Sequence, residues 1–300
     1  MAAPIPGYVL ITPARNEETF IGQTIESMIA QTVPPLKWVI VSDGSTDRTD
    51  GIVREFLPRY SWMELIRRPE RAHRDFAAKV KCFTSGYEAV QHLPYDIIGN
   101  LDADITFAPD YLEFLLARFA EDPGLGVAGT PYVEGTRSYD YRFASLDYVS
   151  GACQLFRRRC FADIGGYTPI KGGGIDWLAV TTARMKGWRT RTFTERVCHH
   201  HRPTGTASCG RLRASYATGR QDYYLGWHPV WETLRGCFHM TRQPYVTGGL
   251  FLLVGYWWAW LTRLERPVSS DVVEFHRREQ IRRLQALLRR TLMRPVHVRG

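Results

Sequence analysis

The chain has 300 residues, 44% of them hydrophobic, with 39 lysine and arginine residues against 30 acidic ones and a formal charge of +9. That composition excludes a disordered chain and fits one sizeable α/β domain carrying an appendage, while six scattered cysteines without a CxxC pair exclude a zinc framework or a disulfide-stapled module and read as reduced thiols. The positive charge is local: from Arg196 onward there are 17 arginines, no lysine and 6 acidic residues, so the part facing an anionic partner is the C-terminal third.

Residues 8–12 (YVLIT) form a short apolar run closed by Pro13, which reads as a first strand. No basic segment precedes it, so the N-terminus is expected to open a domain and not to be a signal peptide, which puts the catalytic part in the cytoplasm. Residues 19–29 place Phe20, Ile21, Ile25, Met28 and Ile29 on one helical stripe. Residues 38–42 (WVIVS) make a second strand ending at Asp43-Gly44, with Ser45, Thr46 and Asp47 as N-cap candidates for a helix through Ile52, Val53 and Phe56. An apolar segment at 63–66, a basic loop holding Arg74, a helix over 77–91 and a strand over 95–101 (YDIIGNL) complete four alternations. Such alternation predicts an α/β fold, a mostly parallel sheet flanked by helices on both faces, with ligands bound beyond the carboxyl ends of the strands.

The polar motifs sit at those strand ends. Asp102-Ala103-Asp104 places two carboxylates one residue apart, which suits a hard divalent cation held together with a diphosphate. Asp43 follows the second strand, where a carboxylate can accept hydrogen bonds from a base or ribose, and Pro13-Ala14-Arg15-Asn16-Glu17 occupies the same point after the first. Three polar turns facing one crevice form a more specific pattern than any one of them. Arg74, Lys79 and Lys81 are candidate diphosphate contacts or, equally, a solvated basic face. After Asp104 the alternation gives way to Gly-rich segments, including 150–152 and 171–176, expected to shape an acceptor side, and the composition shifts again near residue 205. Two domains follow: residues 1–205 as the catalytic part and 206–300 as a basic, aromatic, helical extension.

Taken in order, TPARNEETFIGQTIESMIAQT, VIVSDGSTDRT, NLDADITF, SGACQLFRR and GGYTPIKGGGIDWLAVTTARMKGW resemble the family 2 glycosyltransferases, over roughly residues 6–205. The resemblance implies a GT-A fold, inverting transfer of a hexose from a nucleotide-diphosphate sugar, UDP-linked, to a hydroxyl of a glycan or lipid-linked acceptor, and a divalent cation, Mn²⁺ or Mg²⁺. Carried over by motif, Pro13, Ala14, Arg15, Glu17, Asp43, Lys79, Asp102 and Ala103 bind the donor, with Asp43 at the base and Asp102 near the ribose or the metal. Asp104 is the metal ligand. Asp176 aligns with the second acidic motif, usually Glu-Asp but here Ile175-Asp176, and is the expected general base, an N-cap being the other reading. In Cys198-His199-His200-His201, which follows a strand expected over 189–197, neutral imidazole suits a third metal position, and alternation along an extended segment admits either His200 or the pair His199 and His201, with His200 preferred and a surface cluster as the alternative. Gln154, Trp177 and Arg220 are the candidate acceptor contacts, although a tryptophan at a helix start also serves as core.

Residues 245–262 are 18 uncharged residues with Tyr256, Trp257, Trp258 and Trp260, flanked by Arg242, Arg263 and Arg266, a composition for a helix at a membrane interface or a buried core helix. Residues 271–294 read as a basic amphipathic helix for an anionic membrane surface, although a self-associating or RNA-binding helix would look similar. Peripheral or shallowly inserted attachment to the cytoplasmic face of a membrane is therefore expected, with no nucleic-acid partner. The Gln-x-x-Arg-Trp motif of processive members is absent, which predicts transfer of one sugar at a time. A sugar nucleotidyltransferase would need a Gly-rich, Lys-containing loop where this chain has PARNEE, and a non-catalytic membrane or nucleic-acid adaptor would not need the acidic motifs.

Overall fold

A computed structural model describes residues 4–70, 76–135, 137–138, 145–202 and 210–292. It divides into two compact units, Met1–Pro203 and Thr204–Gly300. The expected boundary near residue 205 falls outside the described residues.

The first unit runs β1 (Tyr8–Ala14), α1 (Ile21–Ile29), β2 (Lys37–Asp43), α2 (Thr49–Phe56), β3 (Met63–Arg68), α3 (Phe76–Val90), β4 (Ile97–Leu101), β5 (Ile105–Phe107), α4 (Tyr111–Glu121) and β6 (Leu125–Gly129). It continues with β7 (Tyr132–Glu134), β8 (Arg137–Ser138), β9 (Cys153–Arg157), α5 (Arg158–Asp163), α6 (Ile175–Met185), β10 (Arg189–Thr192) and β11 (Cys198–His200). The main sheet has the order β10-β6-β9-β4-β1-β2-β3, parallel throughout except for β9, which is antiparallel to β4 and β6. A smaller sheet has the order β5-β11-β7-β8.

The near-continuous apolar strands follow from burial on both faces. Along β1 and β2, Tyr8, Leu10, Trp38 and Ile40 pack with Ile21, Ile25, Met28, Val53 and Leu115 on one side. Their neighbours Val9, Ile11, Val39 and Val41 pack with Phe83, Phe161, Val180 and Ala183 on the other. Truncating one of these wholly buried side chains to alanine costs about 2–5 kcal/mol. Because the chain steps outward from β1 through β2 to β3 and then returns to place β4 on the opposite side of β1, the strand order reverses between β1 and β4. At such a point the loops diverge and leave a crevice at the carboxyl ends.

Three local expectations are corrected. The strand expected over 189–197 stops at Thr192; residues 194–196 turn, and the chain resumes as β11 in the smaller sheet. Helix α2 begins at Thr49, and Asp47 serves it from outside, accepting from the backbone N–H and hydroxyl of Thr49 at 3.0 and 2.6 Å. Asp176 is not an N-cap: Gly174, at φ 92°, takes that position, in the left-handed region that only glycine enters without strain.

The second unit contains α7 (Arg211–Tyr224), α8 (Pro229–Met240), α9 (Thr247–Leu261) and α10 (Ser270–Leu292). Gly219 of α7 meets the Leu252 carbonyl of α9, and Gly255 of α9 meets the Tyr216 carbonyl of α7, so a side chain at either position would collide with backbone. These helices pack at backbone contact for lack of a Cβ. Among the described residues no helix is long and apolar enough to cross a membrane. Cys82, Cys153, Cys160, Cys198 and Cys237 are thiols outside any disulfide; Cys209 lies outside the described residues.

Candidate functional site

The loops after β1 and β2 are stitched into one wall of the crevice. The Asn16 N–H donates to Ser45 Oγ at 3.2 Å, the Glu17 N–H to Thr49 Oγ1 at 2.7 Å, the Glu18 N–H to Asp47 at 3.0 Å, and the Thr46 N–H to Asn16 Oδ1 at 2.9 Å. The short polar side chains of DGSTDRT thus fix the PARNEE loop, and Asp43 is carried at the end of β2 with Arg15 3.8 Å from its carboxylate. Pro13 and Ala14 end β1 beside Val41 and Ser42. Ala103 is buried, its carbonyl accepting from Thr24 at 2.9 Å.

Beyond β4, Asp102, Asp104 and His200 each offer a ligand atom, and the three atoms lie within 4.8 Å of one another. Sheet pairing produces this. β11 runs antiparallel to β5 with His200 opposite Ile105, and the His201 N–H donates to the Asp104 carbonyl at 2.9 Å. Strand alternation turns His200 to the same side as buried Cys198 and leaves His199 exposed. His201 is engaged elsewhere, 2.9 Å from Thr106 Oγ1 and stacked on Phe20. His200 is therefore the histidine at the acidic pair, 3.5 Å from Asp104 Oδ1 and 3.6 Å from Glu134.

These residues fit a divalent cation. The donors are two carboxylates and an imidazole whose Nε2 faces Asp104, while its buried Nδ1, turned to Glu134, has no hydrogen-bond partner. Burial and the adjacent Asp102 charge raise the Asp104 carboxyl above its usual range, against the pull of His200 and Arg202. A cation relieves that crowding of like charge. Lys79 sits 2.5 Å from Asp102 Oδ1. Burial disfavours its ammonium, but Asp102, with smaller contributions from Asp176 and Asp104, more than offsets this and raises its pKa. Lys79 thus feels all three aspartates. Lys81, two residues on and pointing to another side of the helix, is exposed, and Arg74 lies outside the described residues.

Asp176, near the start of α6, uses Oδ2 to accept from the Tyr148 hydroxyl at 2.7 Å and the Gly151 N–H at 3.2 Å. A short path joins it to the acidic pair: Asn100 Nδ2 donates to Asp102 Oδ1 at 3.1 Å and to the Gly151 carbonyl at 2.6 Å. Tyr148, Asn100, Glu134 and Arg202 were not reached from the sequence. Arg202 pairs with Glu17 at 2.5 Å and stands 3.9 Å from Asp104, adding a guanidinium beside the cation site. Its place right after the histidine run was the available signal.

One acceptor candidate is corrected. Gln154 is wholly buried, donating to the Val149 carbonyl and accepting from Tyr167, so it props the sheet and presents nothing to an acceptor. Trp177, next to Asp176 on α6, is 8% exposed. Arg220 lies exposed on α7 in the second unit.

A mixed sheet with an acidic and histidine cation site at its switch point is the GT-A architecture of the nucleotide-sugar-dependent glycosyltransferases. Residues 9–173 match glycosyl transferase family 2, and the chain belongs to that family. The Bacillus subtilis protein described as a probable glycosyltransferase, YdaM, is 33% identical over 245 residues, covering 74% of this chain and 57% of its own. Poly-β-1,6-N-acetyl-D-glucosamine synthase of Staphylococcus epidermidis is 20% identical over 258 residues, 77% of this chain and 58% of that protein. The chain thus spans little more than half the length of these curated relatives. In fold it is similar to the mannosyltransferase PcManGT from Pyrobaculum calidifontis in complex with GDP-Man and Mn²⁺, with a TM-score of 0.59 at 18% identity over 97% of this chain and 82% of the other. S. aureus TarS 1-349 in complex with UDP-GlcNAc gives 0.54 at 13% identity, over 90% and 78%.

Proposed function

We propose that the protein is an inverting glycosyltransferase that moves a hexose from a nucleoside-diphosphate sugar to a hydroxyl of a glycan or lipid-linked acceptor in the synthesis of cell-surface polysaccharide or glycolipid. The observation that carries this reading is the convergence of Asp102, Asp104 and His200 within reach of Lys79, with Asp176 tied to the same crevice through Gly151 and Asn100. Asp104, His200 and Asp102 would hold Mn²⁺ or Mg²⁺, which as a Lewis acid neutralises the charge of the departing diphosphate. Asp43 and the PARNEE loop hold the nucleoside end, and Lys79 and Arg202 bring positive charge to the diphosphate. The cation ligands and the UDP- and GDP-bound relatives support donor binding but leave the base open, so both nucleotides belong in the test.

Asp176 takes the proton of the acceptor hydroxyl. Two donors occupy its Oδ2, which fixes the carboxylate plane and leaves Oδ1 for the acceptor. A single base acting on the face opposite the leaving group yields inversion. The test is a panel of UDP- and GDP-linked hexoses with and without Mn²⁺, scored for nucleoside diphosphate release and anomeric configuration of the product. Release of pyrophosphate from a nucleoside triphosphate, or undiminished turnover in Asp176→Asn, overturns the proposal. Oligomers of many added sugars would overturn single transfer.

The second unit is the membrane-attachment part in this reading, at the cytoplasmic face and without spanning the bilayer. Its support is the apolar face of α9, where Val254, Trp257, Trp258, Trp260 and Leu261 stay exposed while Gly248, Leu252, Gly255, Tyr256 and Ala259 are buried. Flotation of the full chain with vesicles of phosphatidylcholine and phosphatidylglycerol tests it, and no flotation refutes it.

A further inference from the structure

The second unit contains an open groove of ≈ 750 Å³ between the start of α7 and the start of α9. That volume lies within the range of pockets that hold lipid- or drug-sized ligands, about 300–1,000 Å³. Leu212, Tyr216, Pro244 and Phe251 give it an almost wholly apolar lining, to which Arg211 and Arg213 of the first turn of α7 also contribute. Both arginines are exposed, and among the described residues neither forms an ion pair. The first turn of α7 has no acidic residue. Two cations at this end of a helix also face the positive end of its dipole, an arrangement that raises the local positive potential.

The groove is continuous with the exposed row of α9. Thr247 and Phe251 line it, and at helical spacing they are followed by Val254, Trp258 and Leu261, all exposed. An apolar chain leaving the groove would run straight onto that row.

We propose that this groove binds one anionic phospholipid, its phosphate held by an arginine of the first turn of α7, Arg211 or Arg213, and its acyl chain lying over Leu212, Tyr216 and Phe251. Arginine pairs with phosphate through two parallel N–H donors, and the apolar walls exclude water from the chain. A second copy of the protein fits less well, because in a two-fold contact each arginine pair would approach its equivalent. The inference rests on the membrane reading of the second unit and deepens it: attachment would include a stoichiometric lipid site as well as a diffuse apolar surface.

The test uses the full chain titrated with lysophosphatidic acid, lysophosphatidylcholine of the same chain length, and glycerol 3-phosphate, with complexes counted by native mass spectrometry. The expected result is a saturable one-to-one complex with lysophosphatidic acid, at least about 10-fold tighter than with either other probe. Arg211→Gln/Arg213→Gln and, separately, Phe251→Ser should each weaken it about 10-fold or more, with unchanged thermal midpoints. Arg282→Gln/Arg289→Gln, which removes the same charge from exposed positions of α10, should leave it unaltered. Equal binding of the two lysolipids, or undiminished binding by the Arg211/Arg213 double variant, overturns the site. Vesicle flotation separates the two ideas: a chain that binds lysophosphatidic acid as described but does not float refutes membrane attachment and keeps the groove. A chain that floats while its groove variants bind lysophosphatidic acid normally does the reverse.

Discussion

Tyr148 donates its hydroxyl to Oδ2 of Asp176 at 2.7 Å, from a loop 28 residues earlier in the chain. Shared with the Gly151 N–H, this bond leaves the proposed base one free oxygen and one orientation. Tyr148→Phe should lower kcat by about 10- to 100-fold while leaving donor KM nearly unchanged, because the hydroxyl touches the base and not the nucleotide. Steady-state kinetics against donor and acceptor separately check this. A rise in donor KM with kcat intact would contradict it.

Asp176→Asn should retain metal-dependent donor binding and lose transfer, whereas Asp104→Ala should lose both. His200→Ala should weaken Mn²⁺-dependent donor binding by at least about 10-fold, and His199→Ala should not, since only His200 lies at the acidic pair. Calorimetric titration of nucleoside diphosphate with and without Mn²⁺ separates Asp104→Ala and His200→Ala from Asp176→Asn and His199→Ala, and a transfer assay separates the last two.

A Cβ at position 151 would stand 3.0 Å from Asp176 Cβ and 3.3 Å from its Oδ2. Gly151→Ala should therefore displace the carboxylate by a few tenths of an ångström or more, and a misplacement of about 1 Å costs about 100-fold in rate. The variant is expected to fold with a near-normal thermal midpoint and to turn over slowly. Wild-type turnover would show that Asp176 tolerates movement.

In the second unit, Asp222, Glu232 and Arg235 form a buried cluster, with Arg235 also 4.6 Å from the Trp227 ring. Burial and the Asp222 charge push the Glu232 carboxyl up to about 8, against Arg235. A carboxyl raised on folding holds its proton in the native state, so its contribution to stability is complete below the ordinary value of 4.5 and is lost as pH rises through about 8. Thermal stability should fall between those limits with a slope of at most ~1.4 kcal/mol per pH unit for one proton. Glu232→Gln should flatten it. A pH-independent midpoint in wild type would refute the assignment.

Much of the fold was legible because its signals are local. Apolar runs of five or so residues ending in PARNEE, DGSTD and DAD state both the strand and the position of the polar group beyond it, and parallel α/β topology converts that into a shared crevice. The strand over 189–197 extends past Thr192 in the sequence reading because Phe193 and Val197 flank the turn at 194–196 and nothing local marks it, and a change of sheet leaves no periodic mark. Gln154 was misplaced for a related reason: nothing local says that its amide is taken up by the Val149 carbonyl and Tyr167.

The amino-acid sequence alone determined the family, the switch-point crevice and the acidic pair, since each depends on residues within a few positions of one another. Only the tertiary structure decided which histidine meets that pair, that Tyr148 and Gly151 hold Asp176, and that Arg202 reaches Glu17 from 185 residues away. Those choices depend on how β11 registers against β5 and how α6 packs beside residues 148–151, and such long-range pairings are fixed by the joint burial of many side chains and not by any one segment.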